Sequence, residues 1–183
     1  IFARDLGFFE TYLYAFEDDQ IFDLLHYKKE EAIEIKNALQ KELRFLRIDL
    51  IPGLLRAVKK NENQFSEGKI FEVSRVFHNK SKTKEGLPKE ERRIALAIFS
   101  EEEHLFLRLK GDLEIFFKKI GMEKDIRYTG PEKSMEKLFS AKHTQIMLHG
   151  HVVGFLGEPS ENIKNVFKVK KSVVVAELNL DVL

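Results

Sequence analysis

Along residues 69–80 apolar and polar side chains alternate, with Phe71, Val73 and Phe77 on one side and Glu72, Ser74 and His78 on the other. Such period-two alternation predicts a strand with one face on a core and the other toward polar surroundings. A polar run with Gly86 and Pro88 follows, and then a second strand pattern, Arg93-Ile94-Ala95-Leu96-Ala97-Ile98-Phe99. The pair predicts a hairpin joined by a long basic loop, 79–92. Within it, 81–91 holds one apolar residue, Leu87, and no evident caps, so it is expected to be mobile.

The other elements follow from similar patterns. Residues 1–7 predict the last turns of a helix stopped at Gly7, and the aromatic run 8–16 predicts a strand. The 30–45 stretch is ambiguous: Ala32, Ile33, Leu39, Leu43 and Leu46 allow a helix, whereas 32–35 allow a short strand before a turn at Asn37. A helix is predicted over 50–63, with Asp49 as N-cap, Pro52 in the first turn and Lys59 and Lys60 at the C-terminal end. It is expected to pack under the hairpin. Leu109, Leu113, Phe116, Phe117 and Ile120 predict a second helix over 105–120, stopped by Gly121. Residues 144–148 and 151–156 flank a turn at His149-Gly150, 162–167 form a short helix, and 171–180 a buried strand. The whole reads as α+β, an antiparallel sheet flanked by helices.

Length and charge narrow the picture. The 183 residues suit a single domain, 1–183. With no cysteine, disulfides and thiolate metal sites are excluded, which fits a cytoplasmic location. No apolar run approaches the ~20 residues that span a bilayer, so no membrane is expected. Starting at Ile1 with no initiator Met, the chain reads as a fragment of a larger protein. The formal net charge of +1 hides two poles. Residues 1–23 carry six acids against Arg4, while 56–93 carry eleven Lys and Arg against six acids. A basic patch of this size serves nucleic acid in some proteins and is plain solvated surface in many others.

Strand, basic loop and strand make the layout of motif 2 in class II aminoacyl-tRNA synthetases. Phe71-Glu72-Val73-Ser74-Arg75-Val76-Phe77 resembles that family's approach to F-R-x-E. Further matches point to its bacterial phenylalanyl-tRNA synthetase β-subunit branch. Gly7-Phe8-Phe9-Glu10 with Thr11-Tyr12-Leu13-Tyr14-Ala15-Phe16 resembles motif 1. The segment 37–55 resembles NPLSxExSxLRxSLLPGLL, with Ala38 in place of Pro, and Leu109-Lys110-Gly111-Asp112 resembles LKGDVE. Val153-Gly154-Phe155-Leu156-Gly157-Glu158-Pro159 is similar to IGxLGExHP, and 171–180 to VYxxELDLxxL. These matches fall in order from Gly7 to Leu180.

The resemblance implies a fold and a role without chemistry. In F-R-x-E the Arg holds the α-phosphate of ATP and the Glu reads adenine, but here those places carry His78 and Lys80. A neutral imidazole does not replace a charged guanidinium fork. Arg127 is the last arginine, so nothing after it supplies the motif 3 arginine. No catalytic, cofactor-binding or metal residue is therefore assigned. ATP and Mg²⁺ belong to the whole enzyme, whose β-subunit magnesium ligands precede this segment. His143, His149 and His151 read as solvated residues around a turn rather than a metal site. Ser74 and His78, ~13 Å apart along one strand, do not form a nucleophile–base pair.

The implied partner is the catalytic α subunit, in a heterotetramer of two α and two β that charges tRNA with phenylalanine. Motif 1 builds interfaces in this family, so Phe2, Phe8, Phe9, Tyr12, Tyr14 and Phe16 are the expected contact surface, although plain core is the competing reading. Two other classes stay open: a stand-alone pseudo-synthetase regulating another enzyme, like the histidyl-like subunit of a phosphoribosyltransferase, and a simple RNA-binding module using the basic loop.

Overall fold

The computed structural model describes residues 1–25, 27–40, 42–82 and 86–183, and for 80–82 and 134 the backbone alone. Its centre is a seven-stranded sheet. The strands are β1 (Phe9–Glu10), β4 (Glu67–Lys82), β5 (Pro88–Ser100), β6 (Ile126–Tyr128), β7 (Phe139–Leu148), β8 (His151–Pro159) and β9 (Ser172–Asn179). Their order is β1-β4-β5-β9-β8-β7-β6. All pairs are antiparallel except β1 with β4, so the expected antiparallel sheet acquires one parallel edge. A second, two-stranded sheet joins β2 (Phe16–Glu17) to β3 (Phe45–Leu46).

The sheet is buried on both faces. On β5, Ile94, Leu96 and Ile98 join one core cluster while Ala95, Ala97 and Phe99 join the other. On β9, Val174, Ala176 and Leu178 oppose Val173 and Val175 in the same way. Strands covered on both sides read as continuous apolar runs, which is why 93–99 and 171–180 stand out in the sequence. One face is covered by α1 (Phe2–Leu6) and α4 (Leu105–Lys119), through Phe2, Leu109, Leu113 and Phe117. The other is covered by α2 (Asp19–Leu24), α3 (Ile51–Asn61) and α5 (Glu161–Phe167). There Leu54, Leu55 and Val58 of α3 pack with Ile70, Val76, Ala95 and Ala97, so α3 lies under the hairpin as expected.

Several expectations change. The predicted loop after His78 is largely strand: β4 runs to Lys82 and β5 starts at Pro88, with a register shift between His78 and Lys82. Of the segment expected to be mobile, 83–85 lie outside the described residues. The predicted strand 8–16 is broken into β1 and β2. Between them the chain runs beside β4, tied by Thr11 N–H to the Phe71 carbonyl at 2.8 Å and Leu13 N–H to Glu72 Oε1 at 3.4 Å. The ambiguous 30–45 stretch is a 3₁₀ turn, Lys29–Glu31, followed by an isolated bridge from Glu34 to Phe45.

On β4 the expected apolar face is uneven: Phe71 is buried, Phe77 half-buried and Val73 exposed. The opposite side carries buried Ile70, Glu72 and Val76, because α3 and the 45–47 segment cover it. The turn at His149-Gly150 forms as predicted, both residues at positive φ (50° and 83°), the geometry of a tight hairpin turn.

Candidate functional site

The site to test lies on the α3-side face of the sheet, where the motif 2 resemblance would place a nucleotide. His78 is on β4 and faces β5. Its Nε2 lies 3.1 Å from Arg93 Nη2. A guanidinium only donates, so Nε2 accepts and the ring proton sits on Nδ1. Burial, and then the positive charge of Arg93, lower the His78 pKa, which keeps the ring neutral. Nε2 thus has no proton to donate to a phosphate, and its lone pair is already taken by Arg93.

The arginine that holds it is itself committed. Arg93 donates to Glu177 Oε1 at 2.6 Å and to Glu91 Oε2 at 2.8 Å, with its side chain 20% exposed. Burial opposes its charge, but Glu177 and Glu91 outweigh that and raise its pKa further. For Glu91 burial pushes upward, yet Arg93 and Lys89 win and hold the carboxyl below its ordinary range. Asn179 on β9 also donates to Glu91, at 3.2 Å.

A second buried pair lies toward β1. Arg47 donates to Glu72 Oε1 at 2.9 Å, the two side chains being 4% and 3% exposed. Its other nitrogens reach Ser74 Oγ and the carbonyl of Arg75 at 3.1 Å. Arg47 thereby pins the 45–47 segment onto β4. Burial raises the Glu72 pKa even with Arg47 beside it. Glu17 on β2 is likewise matched, by both terminal nitrogens of Arg56. These pairs were invisible in the sequence because their members lie far apart in it.

Other candidates resolve individually. Asp49 is not the N-cap of α3: Leu50 holds that place, and its N–H goes to Glu177 Oε2 at 2.8 Å. Asp49 instead lines an apolar cleft beside Tyr27 and Arg93. Burial, then the charge of Glu177, push its pKa up to about 7. His143 is buried rather than solvated. Its Nδ1 lies 2.6 Å from the Ser140 carbonyl, and its Nε2 accepts from the Glu132 N–H at 2.9 Å. His149 and His151 are exposed. Among the described residues no three metal-ligating side chains converge. The side chain of Lys80 lies outside the described residues.

The six aromatic residues split. Phe2 and Phe8 are core, packed edge to face at 5.5 Å, with Phe2 also 4.9 Å from Phe116. Phe9, Tyr12, Tyr14 and Phe16 are 75%, 85%, 83% and 41% exposed. Tyr14 and Phe16 border an apolar groove completed by Ile35, Leu39 and Leu43. The charge poles are largely neutralised within the fold: Arg75 pairs with Glu90, Arg92 with Asp181, and Asp19 with Arg44.

Comparison with known proteins identifies this frame. Residues 2–180 match the family model of the phenylalanyl tRNA synthetase beta chain CLM domain. The chain belongs to that family. Similar proteins include the phenylalanine–tRNA ligase beta subunits of Fusobacterium nucleatum, 27% identical over 97% of this chain, and of Legionella pneumophila, 29% identical over 96%. The chain spans under a quarter of the length of these two relatives, 23% and 22%. In fold it is similar to the pyrrolysyl tRNA synthetase of Desulfitobacterium hafniense, with a TM-score of 0.79 over 99% of this chain and 63% of that one at 13% identity. Membership of the CLM family favours the β-subunit reading over the histidyl-like regulator. The described helices include none long and apolar enough to cross a membrane.

Proposed function

We propose that this domain is a non-catalytic, synthetase-like scaffold in the beta subunit of a cytoplasmic phenylalanine–tRNA ligase. The observation that carries this is the closure of the nucleotide face: His78 stands at the phosphate-arginine place, and Arg93 beside it is consumed by Glu177 and Glu91. The residues present do not fit ATP. A triphosphate would have to break buried ion pairs and would meet uncompensated carboxylates. Adenylation by ATP and Mg²⁺ then falls to a catalytic α subunit, with two α and two β chains in the assembly and tRNA as the shared substrate.

The face offered to α is the exposed set Phe9, Tyr12, Tyr14 and Phe16 with the groove at Leu39 and Leu43. Aromatic side chains of this exposure are costly to leave wet and are frequent anchors of interfaces. Two measurements test the reading. Calorimetry with ATP is expected to give no micromolar binding, and such binding would overturn it. Mixing with α subunit is expected to give a larger assembly by light scattering, lost in the Tyr12→Ser/Tyr14→Ser variant. An undiminished assembly would move the interface elsewhere.

A further inference from the structure

The cleft beside Asp49 is a candidate ligand site that the scaffold role leaves unused. It lies between α3, α5, β7 and β8, with a volume of about 220 Å³. Its walls are Tyr27, Phe139, Phe155 and Phe167, and its polar groups are Asp49 and Arg93. An engineered apolar cavity of ~150 Å³ is enough to hold benzene, so this one has room for a ring and a short polar arm.

Charge decides what that arm must be. Asp49 Oδ1 is buried without a hydrogen-bond partner, although Tyr27 hydrogen-bonds the same carboxyl group. Glu17, Glu72, Glu91 and Glu177 on the same face each have an arginine. Among the described residues Asp49 forms no ion pair, and the Nε of Arg93, in the lining of the same cleft, is likewise buried without a hydrogen-bond partner. The charged and titratable groups around it are Glu177 on β9, Arg93 on β5, Glu17 on β2 and Tyr27 after α2. With Arg93 on Glu177 and Glu91, and Lys89 also on Glu91, the positive charges nearby are taken up and none is left for Asp49. A buried carboxylate is stabilised by a cation that hydrogen-bonds it.

We propose that this cleft binds a small apolar primary ammonium compound, its ring or branched alkyl part against Tyr27, Phe139, Phe155 and Phe167 and its NH₃⁺ at the Asp49 carboxyl group. The same electronegativity that turns away a phosphate favours this ligand class. The inference stands on the cleft and its unpaired oxygen and does not depend on partnership with an α subunit.

The test is an amide chemical-shift titration of the 183-residue chain with benzylamine, benzyl alcohol and benzoate. Benzylamine is expected to shift the amides around Tyr27, Asp49 and Phe155 with a Kd on the order of 1 mM. Because Asp49 titrates near 7, binding is expected to be about tenfold tighter at pH 8 than at pH 6. Asp49→Asn, close to isosteric and able to fold, should weaken binding at least tenfold at pH 8 and remove the pH dependence. Leu138→Phe, which narrows the cleft without touching the carboxylate, should weaken binding at both pH values. Equal binding of benzyl alcohol, unchanged affinity in Asp49→Asn, or no shifts at about 10 mM benzylamine would each overturn the proposal, the last leaving the cleft a hydrated packing gap.

Discussion

Glu177, near the end of β9, accepts the amide hydrogen of Leu50 at 2.8 Å, across 127 residues of sequence. Its other oxygen takes Arg93 at 2.6 Å. One carboxylate thus starts α3 and neutralises the arginine that faces His78. Glu177→Ala removes both contacts and leaves Arg93 dependent on Glu91 alone. The expected loss is about 3–5 kcal/mol, the scale for breaking a buried pair. Glu177→Gln keeps an acceptor for Leu50 and should lose visibly less. Urea denaturation ranks the two, and equal losses would show that the charge on Arg93, rather than the cap, dominates.

Arg47 and Glu72 permit a cleaner measurement. Arg47→Ala strands Glu72 in a buried setting and frees the 45–47 segment from β4, for an expected cost of about 3–5 kcal/mol. Arg47→Met with Glu72→Leu replaces the pair by apolar groups of similar size and should recover most of that loss. A double mutant no better than the single would mean that the bonds of Arg47 to Ser74 and the Arg75 carbonyl outweigh its ion pair.

Asp49 gives stability a pH dependence of unusual sign. Its folded pKa of about 7 exceeds the ordinary value of 3.8, so between those limits the folded state holds more protons than the unfolded one. The stabilising, protonated form is fully present below about pH 4 and is lost as pH rises through 7. Asp49→Asn mimics that form at every pH. At pH 8 it should be more stable than the wild type, by at most about 4 kcal/mol, with the gap closing toward pH 4. Melting curves across this range check it, and a constant gap would contradict it.

Gly154 on β8 has no room for a side chain. A Cβ there would lie 2.1 Å from the Glu177 carbonyl oxygen and 2.7 Å from Leu178 Cδ2. Gly154→Ala must therefore part β8 from β9, at an expected cost of about 1–3 kcal/mol. Gly111→Ala is the control: nothing lies within 4 Å of its Cβ, and inside α4 alanine should gain about 1 kcal/mol.

Elements with local signals were visible in the sequence. The stripe of Leu109, Leu113 and Phe117 gave α4, His149-Gly150 gave its hairpin, and the apolar run 171–180 gave β9. Where partners are distant, local signals mislead. Asp49 has the form of an N-cap, but Glu177 supplies the contact. The 79–92 stretch looks like a loop because Lys89, Glu90, Glu91 and Arg92 are polar, yet ladder hydrogen bonds to β4 extend it. The breaks in 8–16 come from Thr11 and Leu13 bonding to β4, and no pattern within the segment announces that. Phe2 and Phe8 have the same composition signal as Tyr12 and Tyr14, and only tertiary packing, of Phe2 on Phe116 and Phe71 and of Phe8 on Phe2, decides which rings are covered. At the candidate site the loss at His78 was plain from one residue, whereas Arg93, Glu177 and Arg47 required the fold.

The sheet order has a consequence for synthesis. β9 is made after the six other strands and fills the middle of the sheet, between β5 and β8. Until residues 172–179 leave the ribosome, the nascent chain can hold only two half-sheets, β1-β4-β5 and β8-β7-β6, each with a bare apolar edge. Such edges invite pairing with other chains. A ribosome stalled before Ser172 would thus display two sticky fragments instead of a shortened domain, and the arrival of one eight-residue strand would close both.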